Sequence, residues 1–428
     1  MPIIPPAVAA PFVARPRLPL NRRVAVVGDS RSANNLSMAL PSITRRVAGW
    51  QTWLGILSGA RCEFVPGYNF ATAGYRTDQV LPYAQAAAAT DASIVIVFAG
   101  TNDRSGGYGW DWTLSYLSQI RDCLLAAGKI VVFVAETPRG GSSGSRLSGQ
   151  QLAWHLRTHQ WLLDQDRAFA DVYTADPWPA LALVGSASGD CIDAYFQDSI
   201  HPNPEGGFRI AQALQPIIER LLPLPSFLST SNADAWSTDN PGGNPVSNPT
   251  MSGTSGAKVG TATGTVATAL QAGGSTGAAP VFDIYTDPND GTPWQRLTLG
   301  GTPSVSTPAA NAVWSIPAAN VSNGDVLQGA IEIAVDTPLA NAVSIEVTVA
   351  ATVAGTFVAG KECSTSGVAA DRVPAKTFSG VFRTPKLVIP ANGAITSPSF
   401  YISVGLVNGA AASGVVRFRR PTVRKVSA

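Results

Sequence analysis

The sequence predicts an α/β domain built on a parallel sheet, followed by an all-β domain. The chain has 428 residues, 45% of them hydrophobic, which is enough for two cores at about 100–200 residues per domain. From residue 22 to 224, short β-branched runs alternate with helical segments, whereas residues 251–428 are dominated by Ala, Gly, Thr, Val and Ser. We therefore predict an N-terminal extension (1–21), an α/β domain (22–224), a linker (225–250) and a β-sandwich or jelly-roll domain (251–428).

The strand candidates of the α/β domain are continuous apolar runs, as expected when helices cover both faces of a sheet. They are Val24–Val27, Ile94–Phe98 and Ile130–Ala135, with a weaker candidate at Ala170–Thr174. Apolar residues at helical spacing predict the helices Ile43–Leu57, Thr77–Ala86, Trp112–Ala126, Gly149–Asp166 and Glu205–Leu222.

The second half of the chain has a different texture. Pro223–Pro249 is rich in Pro, Ser, Asn and Gly and has no helical period, which predicts a linker. Alternating runs between turn signals then predict an antiparallel sandwich without long helices. Examples of these runs are Ala330–Val335, Val343–Ala350, Ser399–Leu406 and Gly414–Phe418.

Composition excludes several classes of function. The chain carries 30 Lys and Arg against 28 Asp and Glu, so it lacks the basic excess of a nucleic-acid binder. No apolar run approaches the roughly 20 residues that span a bilayer. In residues 1–19, prolines interrupt the apolar stretch and the positive charge follows it, so we expect no classical secretory signal peptide.

Metal and disulfide sites are not predicted. The four cysteines are scattered and never lie at metal-ligand spacing, and the chain has three histidines. His155 and His159 stand four residues apart on a predicted helix, but no zincin-type Glu or third ligand accompanies them, so we interpret them as structural or surface residues. We therefore predict no metal and no cofactor.

Polar residues follow the strand candidates at positions that suit a catalytic site. Gly28-Asp29-Ser30 ends the first strand and Gly100-Thr101-Asn102-Asp103 ends the second. The carboxyl ends of parallel strands share one edge of a sheet, where such folds place their sites. Asn69-Phe70-Ala71-Thr72-Ala73-Gly74 lies between them, and Asp198-Ser199-Ile200-His201 follows far downstream.

These four segments, in this order, resemble the four sequence blocks of the SGNH (GDSL-type) hydrolase family. The resemblance covers residues 22–222 and implies a flavodoxin-like, three-layer fold. It also implies that Ser30 is the nucleophile, His201 the base and Asp198 the group that orients the histidine. The oxyanion hole would consist of the amides of Ser30 and Gly74 and the side chain of Asn102.

The chemistry requires these residue types independently of the family. A serine hydroxyl is a weak nucleophile until a neighbouring base removes its proton, and neutral imidazole is suited to this near neutral pH. A carboxylate on the other ring N–H fixes the tautomer and stabilises the imidazolium. The tetrahedral intermediate then needs hydrogen-bond donors for its oxyanion.

Four residues are candidates for substrate binding. Arg31 follows the predicted nucleophile, where many members of the family carry a smaller or apolar residue, and this places the substrate pocket in question. Tyr108, Trp110 and Tyr195 lie close in sequence to the Asn102 and Asp198 segments, where aromatic faces can stack on a sugar ring. The alternative for these aromatics is ordinary core packing.

A second serine motif competes with Ser30. Gly140-Gly141-Ser142-Ser143-Gly144 has the Gly-x-Ser-x-Gly spacing of an α/β-hydrolase elbow and follows a strand. The elbow requires a sharp strand-to-helix turn, whereas residues 138–148 form a Gly/Ser-rich loop. We therefore interpret the motif as a decoy whose loop could border the pocket.

The sequence predicts a serine esterase that acts on acyl esters, most simply acetyl esters, of a bacterial surface polysaccharide. Residues 244–268 are similar to the opening of β-sandwich modules that accompany SGNH domains in bacteriophage virion and prophage proteins. This implies a virion-associated (phage tail) or extracellular protein with a homo-oligomeric or virion assembly. The alternatives are a lipase, thioesterase or lysophospholipase, or a virion structural or receptor-binding protein with a vestigial hydrolase half.

Overall fold

A computed structural model describes residues 20–33, 37–39, 42–46, 49–365 and 371–427. We refer to residues 20–222 as the α/β half and to residues 251–427 as the β half. The predicted extension 1–21 lies outside the described residues except for its last two positions. None of the helices in these ranges is long and apolar enough to cross a membrane.

The α/β half contains seven strands and eight helices within its described residues. The strands are β1 (Arg23–Gly28), β2 (Ser37–Ala39), β3 (Ser42–Arg46), β4 (Glu63–Asn69), β5 (Ile94–Phe98), β6 (Ile130–Val134) and β7 (Val172–Ala175). The helices are α1 (Ser30–Ala33), α2 (Trp50–Leu57), α3 (Thr77–Ala88), α4 (Thr101–Ser105), α5 (Trp110–Ala126), α6 (Gly149–Ala168), α7 (Trp178–Leu181) and α8 (Pro204–Leu221), with a 3₁₀ turn at Asp193–Tyr195.

Five of these strands form a parallel sheet in the order β4-β1-β5-β6-β7. Successive residues of a strand point to opposite faces. Val24 and Val26 accordingly pack with α2 and α8, whereas Ala25 and Val27 pack with α3, α5 and α6. Because both faces are covered, the predicted three-layer α/β architecture with a parallel sheet is confirmed.

The β half contains thirteen strands within its described residues. They are β8 (Ser255–Gly260), β9 (Thr263–Gly264), β10 (Val266–Gly274), β11 (Val281–Thr286), β12 (Pro293–Leu299), β13 (Ala309–Ser315), β14 (Val326–Ala340), β15 (Ala342–Val353), β16 (Thr356–Cys363), β17 (Phe378–Arg383), β18 (Leu387–Val388), β19 (Ile395–Leu406) and β20 (Ser413–Lys425). All four strand runs predicted from the alternation lie inside β14, β15, β19 and β20.

These strands form two sheets that pack against each other. One has the order β2-β3-β16-β15-β19-β13-β10-β8 and the other β17-β14-β20-β12-β11-β9, with β18 beside β14. Trp314 and Phe400 of the first sheet pack on each other, and Trp314 meets Phe418 of the second sheet edge-on at 5.9 Å. The sheets are mixed, because β8 with β10, β9 with β11 and β3 with β16 pair in parallel.

The predicted helix Ile43–Leu57 is wrong in its first third. Residues Ser42–Arg46 form strand β3, which pairs in parallel with β16 of the β half, and the helix begins at Trp50 after Gly49. A long-range partner therefore overrides local helical periodicity here. Strand β4 was not predicted, because Pro66 and Gly67 interrupt its pattern, which an edge strand tolerates.

The two halves share a packed interface. Trp53 of α2 contacts Phe208 of α8 and Phe378 of β17, with ring centroids 5.1 and 5.4 Å apart. At Gly380 the backbones approach so closely that a Cβ would lie 2.3 Å from the carbonyl oxygen of Ile56. The β half is therefore anchored directly on the α/β half.

Residues 225–250 contain no helix or strand, and hydrogen bonds tie them to the β half. Asn244 donates from Nδ2 to the carbonyl oxygen of Pro421 at 2.9 Å, and its Oδ1 accepts the N–H of Val423 at 2.9 Å. The N–H of Ser229 donates to Thr422 Oγ1 at 2.8 Å. These bonds fix residues 225–250 along β20.

Candidate functional site

Ser30, His201 and Asp198 form a continuous hydrogen-bonded chain. The Ser30 Oγ lies 2.7 Å from His201 Nε2, although the two residues are 171 positions apart. The other ring nitrogen, Nδ1, lies 2.7 Å from Asp198 Oδ2 and 2.9 Å from Oδ1. Ser30 stands immediately beyond β1, at the carboxyl edge of the sheet where the sequence placed it.

The loop that carries Asp198 and His201 is fixed by its own backbone. Asp198 Oδ1 also accepts the N–H groups of Ile200 and His201, at 3.2 and 2.9 Å. Partial burial opposes ionisation of Asp198, but these N–H groups and the His201 ring outweigh it and hold its pKa below the ordinary value. Asp198 is therefore a carboxylate at neutral pH, able to accept a hydrogen bond from the Nδ1–H of His201.

Ser199, which lies between Asp198 and His201 in the sequence, has an unusual backbone conformation. Its φ is 63°, in the left-handed region, and its side chain is buried. Its carbonyl oxygen accepts the N–H of Gly140 at 3.1 Å, and its Oγ lies 2.6 Å from Ser143 Oγ. Neighbouring hydrogen bonds thus stabilise a conformation that costs about 1–3 kcal/mol in a non-glycine residue.

The Gly140–Gly144 loop therefore borders the Asp198–His201 loop. It has an isolated bridge between Gly141 and Gly144 rather than a strand-to-helix elbow. Ser142 is exposed and its N–H donates to the Asp193 carboxylate at 3.1 Å, while Ser143 bonds Ser199. This placement supports the interpretation of Ser142 as a decoy and gives the loop a bracing role.

The three predicted oxyanion donors are brought to the same edge. The N–H of Thr72 donates to the carbonyl oxygen of Gly28 at 3.0 Å, which holds the Gly74 turn beside the end of β1. Asn102 Nδ2 donates to the carbonyl oxygen of Tyr75 at 2.9 Å, which holds Asn102 beside the same turn. Gly74 has φ 79°, a left-handed value that glycine adopts without strain.

The backbone donors at this edge are not committed elsewhere. Among the described residues, neither the N–H of Ser30 nor that of Gly74 has a protein acceptor. The second amide proton of Asn102 is directed away from the bond to Tyr75, because the two protons of a side-chain amide diverge. The N–H groups of Ser30 and Gly74 and one amide proton of Asn102 are therefore available as donors at the edge of the sheet that carries Ser30.

Arg31 does not occupy the predicted substrate pocket. It is 3% exposed and forms a bidentate pair with Asp29, Nε to Oδ1 at 3.0 Å and Nη2 to Oδ2 at 2.7 Å. Its Nη1 donates to Glu136 Oε2 at 2.8 Å, and the guanidinium lies 3.9 Å from the centroid of the Phe98 ring. A substrate cannot reach this group, so the predicted substrate contact is wrong.

The buried ion pairs instead fix the backbone around Ser30. Asp29 and Arg31 are its two neighbours, and their fork-to-fork bond locks the turn that carries Ser30 and its N–H. Burial opposes ionisation of Glu136, but the charge of Arg31 outweighs it and keeps the pKa of Glu136 below the ordinary value. A Cβ at Gly100 would lie 2.1 Å from Glu136 Oε1, so this carboxylate requires a glycine ahead of Asn102.

Glu136 was missed by the sequence reasoning. It is the second residue after β6, at the same carboxyl edge as Ser30 and Asn102, and it is 1% exposed. An acidic residue directly after a strongly apolar strand is the signal that could have identified it. Its partner could not be read from spacing, because Arg31 lies 105 residues away.

The three aromatic candidates lie in two places. Tyr108 stacks on Trp112 with centroids 4.8 Å apart, and Trp110 begins α5 with the guanidinium of Arg157 5.2 Å from its ring. Tyr195 lies at the base of the loop that carries Asp198 and His201, where its carbonyl oxygen accepts the N–H of Asn203 at 3.0 Å. Their role in substrate binding stays a prediction.

His155 and His159 of α6 contact the backbone of the segment that follows β6. His155 is buried with Nε2 2.9 Å from the carbonyl oxygen of Thr137, and burial lowers its pKa. His159 Nδ1 lies 2.9 Å from the carbonyl oxygen of Glu136. In the part of the chain that the structure describes, no three His, Cys, Asp or Glu side chains are grouped so as to hold a metal ion.

Residues 26–207 match the model of the GDSL-like lipase/acylhydrolase family. No curated protein matches the chain. Similar solved structures include a carbohydrate esterase of family 3 from Talaromyces cellulolyticus (18% identity, 47% of this chain, 98% of that chain, TM-score 0.34). Others are a lipolytic G-D-S-L protein from Veillonella parvula (18%, 46%, 99%, 0.35) and a GDSL-like lipase from Bacteroides thetaiotaomicron (15%, 47%, 89%, 0.35).

The family match covers residues 26–207, less than half of the chain, and supports a hydrolase. It contains all the sequence blocks on which the SGNH resemblance rested. The likeness of residues 244–268 to virion modules is not addressed by these comparisons.

The buried ion network yields a stability prediction. Arg31→Met leaves the Asp29 and Glu136 carboxylates without their counter-charge and should lower the free energy of unfolding by about 3–5 kcal/mol. The matched control is Arg167→Met, which removes an ion pair between Arg167 and Asp164. Because these two side chains are 83% and 53% exposed, the control should lower the free energy of unfolding by less than about 1 kcal/mol. Urea unfolding measures both, and equal losses would contradict a structural role for the network.

Proposed function

We propose that this protein is a serine esterase that removes small acyl groups, principally acetyl, from a bacterial surface polysaccharide through an acyl-enzyme on Ser30. The observation that carries the proposal is the chain from Ser30 Oγ through His201 to Asp198, with bonds of 2.7 Å on both sides of the imidazole. These three residues lie within residues 26–207, and the match of that range to the GDSL-like lipase/acylhydrolase family supports ester hydrolysis as the reaction.

The first half of the reaction transfers the acyl group to the protein. His201 Nε2 accepts the Ser30 proton as Oγ attacks the ester carbonyl carbon, and the carbonyl oxygen becomes an oxyanion. The amides of Ser30, Gly74 and Asn102 stabilise this charge. The tetrahedral intermediate then collapses and the bond between the acyl carbon and the sugar oxygen breaks. His201 donates its proton to that oxygen, which leaves as the sugar hydroxyl, and the acyl group remains on Ser30.

The second half reverses these roles with water. His201 Nε2 accepts a proton from water as the water oxygen attacks the acyl carbon. The same three donors stabilise the second oxyanion that forms. The carbon–oxygen bond to Ser30 breaks, the proton on His201 returns to Oγ, and the carboxylic acid leaves. Asp198 accepts the Nδ1–H throughout and stabilises the imidazolium that forms twice in each cycle.

The surroundings of the site favour a short acyl group on a polymer. The side chains of His201 and Asp198 are 33% and 54% exposed, so the reacting groups lie at an open surface. A long acyl chain gains affinity only where its methylene groups leave water. An acetyl group on a polysaccharide has no methylene chain to bury and needs no apolar channel. The open site therefore favours a carbohydrate esterase over the lipase and thioesterase alternatives.

The large strand-rich half and its likeness to virion modules support a location on a phage tail or outside the cell. An esterase there would modify the glycan coat that the particle meets, and the β half would attach it to the assembly or to a second copy. The complete hydrogen-bonded chain at Ser30 favours this proposal over a structural protein with a vestigial site.

The first kinetic prediction concerns the oxyanion donor Asn102. Asn102→Ala should lower kcat on a small acetyl ester by about 10²–10³ and leave KM nearly unchanged, because the lost bond forms in the transition state. The exposed Asn323→Ala is the matched control and should retain full activity. Steady-state kinetics with 4-nitrophenyl acetate measures both, and a kcat for Asn102→Ala within a factor of two of wild type would exclude the assigned role.

The second prediction concerns the acyl group. Acetate release from an O-acetylated bacterial polysaccharide should be readily measured, and kcat/KM on 4-nitrophenyl esters should fall steeply from acetyl to decanoyl. Ser30→Ala should abolish all of these activities, which controls for contaminating esterases. A preference for the decanoyl ester would instead identify the protein as a lipase-type hydrolase.

A further inference from the structure

An open groove of about 470 Å³ runs between the β half and the base of the Asp198–His201 loop, the catalytic loop of the proposed function. One wall consists of residues that flank the loop and begin α8, among them Tyr195, Asn203 and Arg209. The other wall is the segment 371–376 of the β half, which includes Arg372 and Lys376. Both halves of the chain are therefore needed to form it.

The groove lies next to the site at Ser30. The catalytic loop is closed at its base by a bridge between Phe196 and Pro202 and by the bond from the Asn203 N–H to the carbonyl oxygen of Tyr195, at 3.0 Å. Asn203 lines the groove and stands two residues after His201. The groove thus begins at the base of the loop that carries His201 and ends at the β half.

The first wall is a fixed, partly aromatic surface. The guanidinium of Arg209 lies 4.0 Å from the centroid of the Tyr195 ring, and its Nη2 donates to Tyr195 Oη at 2.9 Å and to Glu205 Oε1 at 2.8 Å. The Glu205 charge is therefore matched within the wall. The Nε of Arg209 is buried beside the groove and has no acceptor among the described residues.

The second wall presents positive charge on a fixed base. Val373 is 2% exposed and its N–H donates to the carbonyl oxygen of Ala342 at 3.1 Å, which anchors the segment to β15. Arg372 and Lys376 on either side of this anchor are exposed. This wall therefore carries Arg372 and Lys376 together with the carboxylate of Asp371, while Glu205 pairs with Arg209 in the first wall.

We propose that this groove binds the acidic sugars that flank the ester on an anionic polysaccharide, so that the β half contributes to substrate selection; this rests on the esterase function proposed above. Its lining combines six polar or charged residues and Tyr195 with five apolar residues, which matches the hydroxyl edges and C–H faces of sugars. A carboxylate, phosphate or sulfate on the glycan would pair with Arg372 and Lys376. A fatty acyl chain would desolvate five ionisable side chains, so a lipid is disfavoured.

Direct binding tests the groove without reference to catalysis. Isothermal titration with polygalacturonate and hyaluronate should give a Kd for wild type that rises about tenfold or more in the double variant Arg372→Ala/Lys376→Ala, equivalent to about 1.4 kcal/mol. The matched control Arg167→Ala/Lys258→Ala removes two exposed cations elsewhere and should leave Kd unchanged. The neutral polymer dextran should bind neither protein measurably.

Kinetics separates failure of the groove from failure of the esterase. The ratio of kcat/KM on acetylated polygalacturonate to that on 4-nitrophenyl acetate should fall at least tenfold in the double variant, through KM on the polymer. Equal binding by wild type and the double variant, or no binding of either acidic polymer by wild type, would overturn the groove while leaving the esterase intact. Inactivity of wild type on both esters would refute the esterase, and the titration would still decide the groove.

Discussion

The site depends on one hydrogen bond, between Ser30 Oγ and His201 Nε2, which joins residues 171 positions apart. The parallel sheet makes the bond possible, because it holds the end of β1 beside the end of β5 and leaves that edge open for the later loop. The conformation of the loop is fixed locally, because Asp198 accepts hydrogen bonds from the backbone N–H groups of Ile200 and His201 as well as binding the imidazole. Long-range topology thus sets the position of the reacting groups, and local hydrogen bonds set their orientation.

The turn that carries Ser30 is flanked by buried charged residues. Asp29, Arg31 and Glu136 are almost wholly excluded from solvent, and Arg31 forms an ion pair with each of the two carboxylates. Their arrangement restricts the turn around Ser30 from both sides. It also imposes a glycine at position 100, directly ahead of the Asn102 segment, so two parts of the site are constrained by one carboxylate.

Much of this arrangement was predictable from sequence, because strand ends and short-range blocks are local signals. Ser30 and Asn102 each follow an apolar strand, and Asp198 and His201 stand three positions apart. The position of Arg31 was not predictable, since its burial depends on Glu136, more than a hundred residues away. The strand Ser42–Arg46 was mistaken for helix for the same reason: its partner β16 lies in the other half of the chain.

The central claim is that Ser30 is an activated nucleophile, and covalent labelling with a fluorophosphonate tests it most directly. Peptide mapping by mass spectrometry after reaction of the folded protein should locate one label on Ser30, and His201→Ala should slow the reaction strongly because the hydroxyl then lacks its base. Ser142→Ala should label as wild type does. Modification at Ser142 instead, or an unlabelled Ser30 in folded protein, would contradict the account.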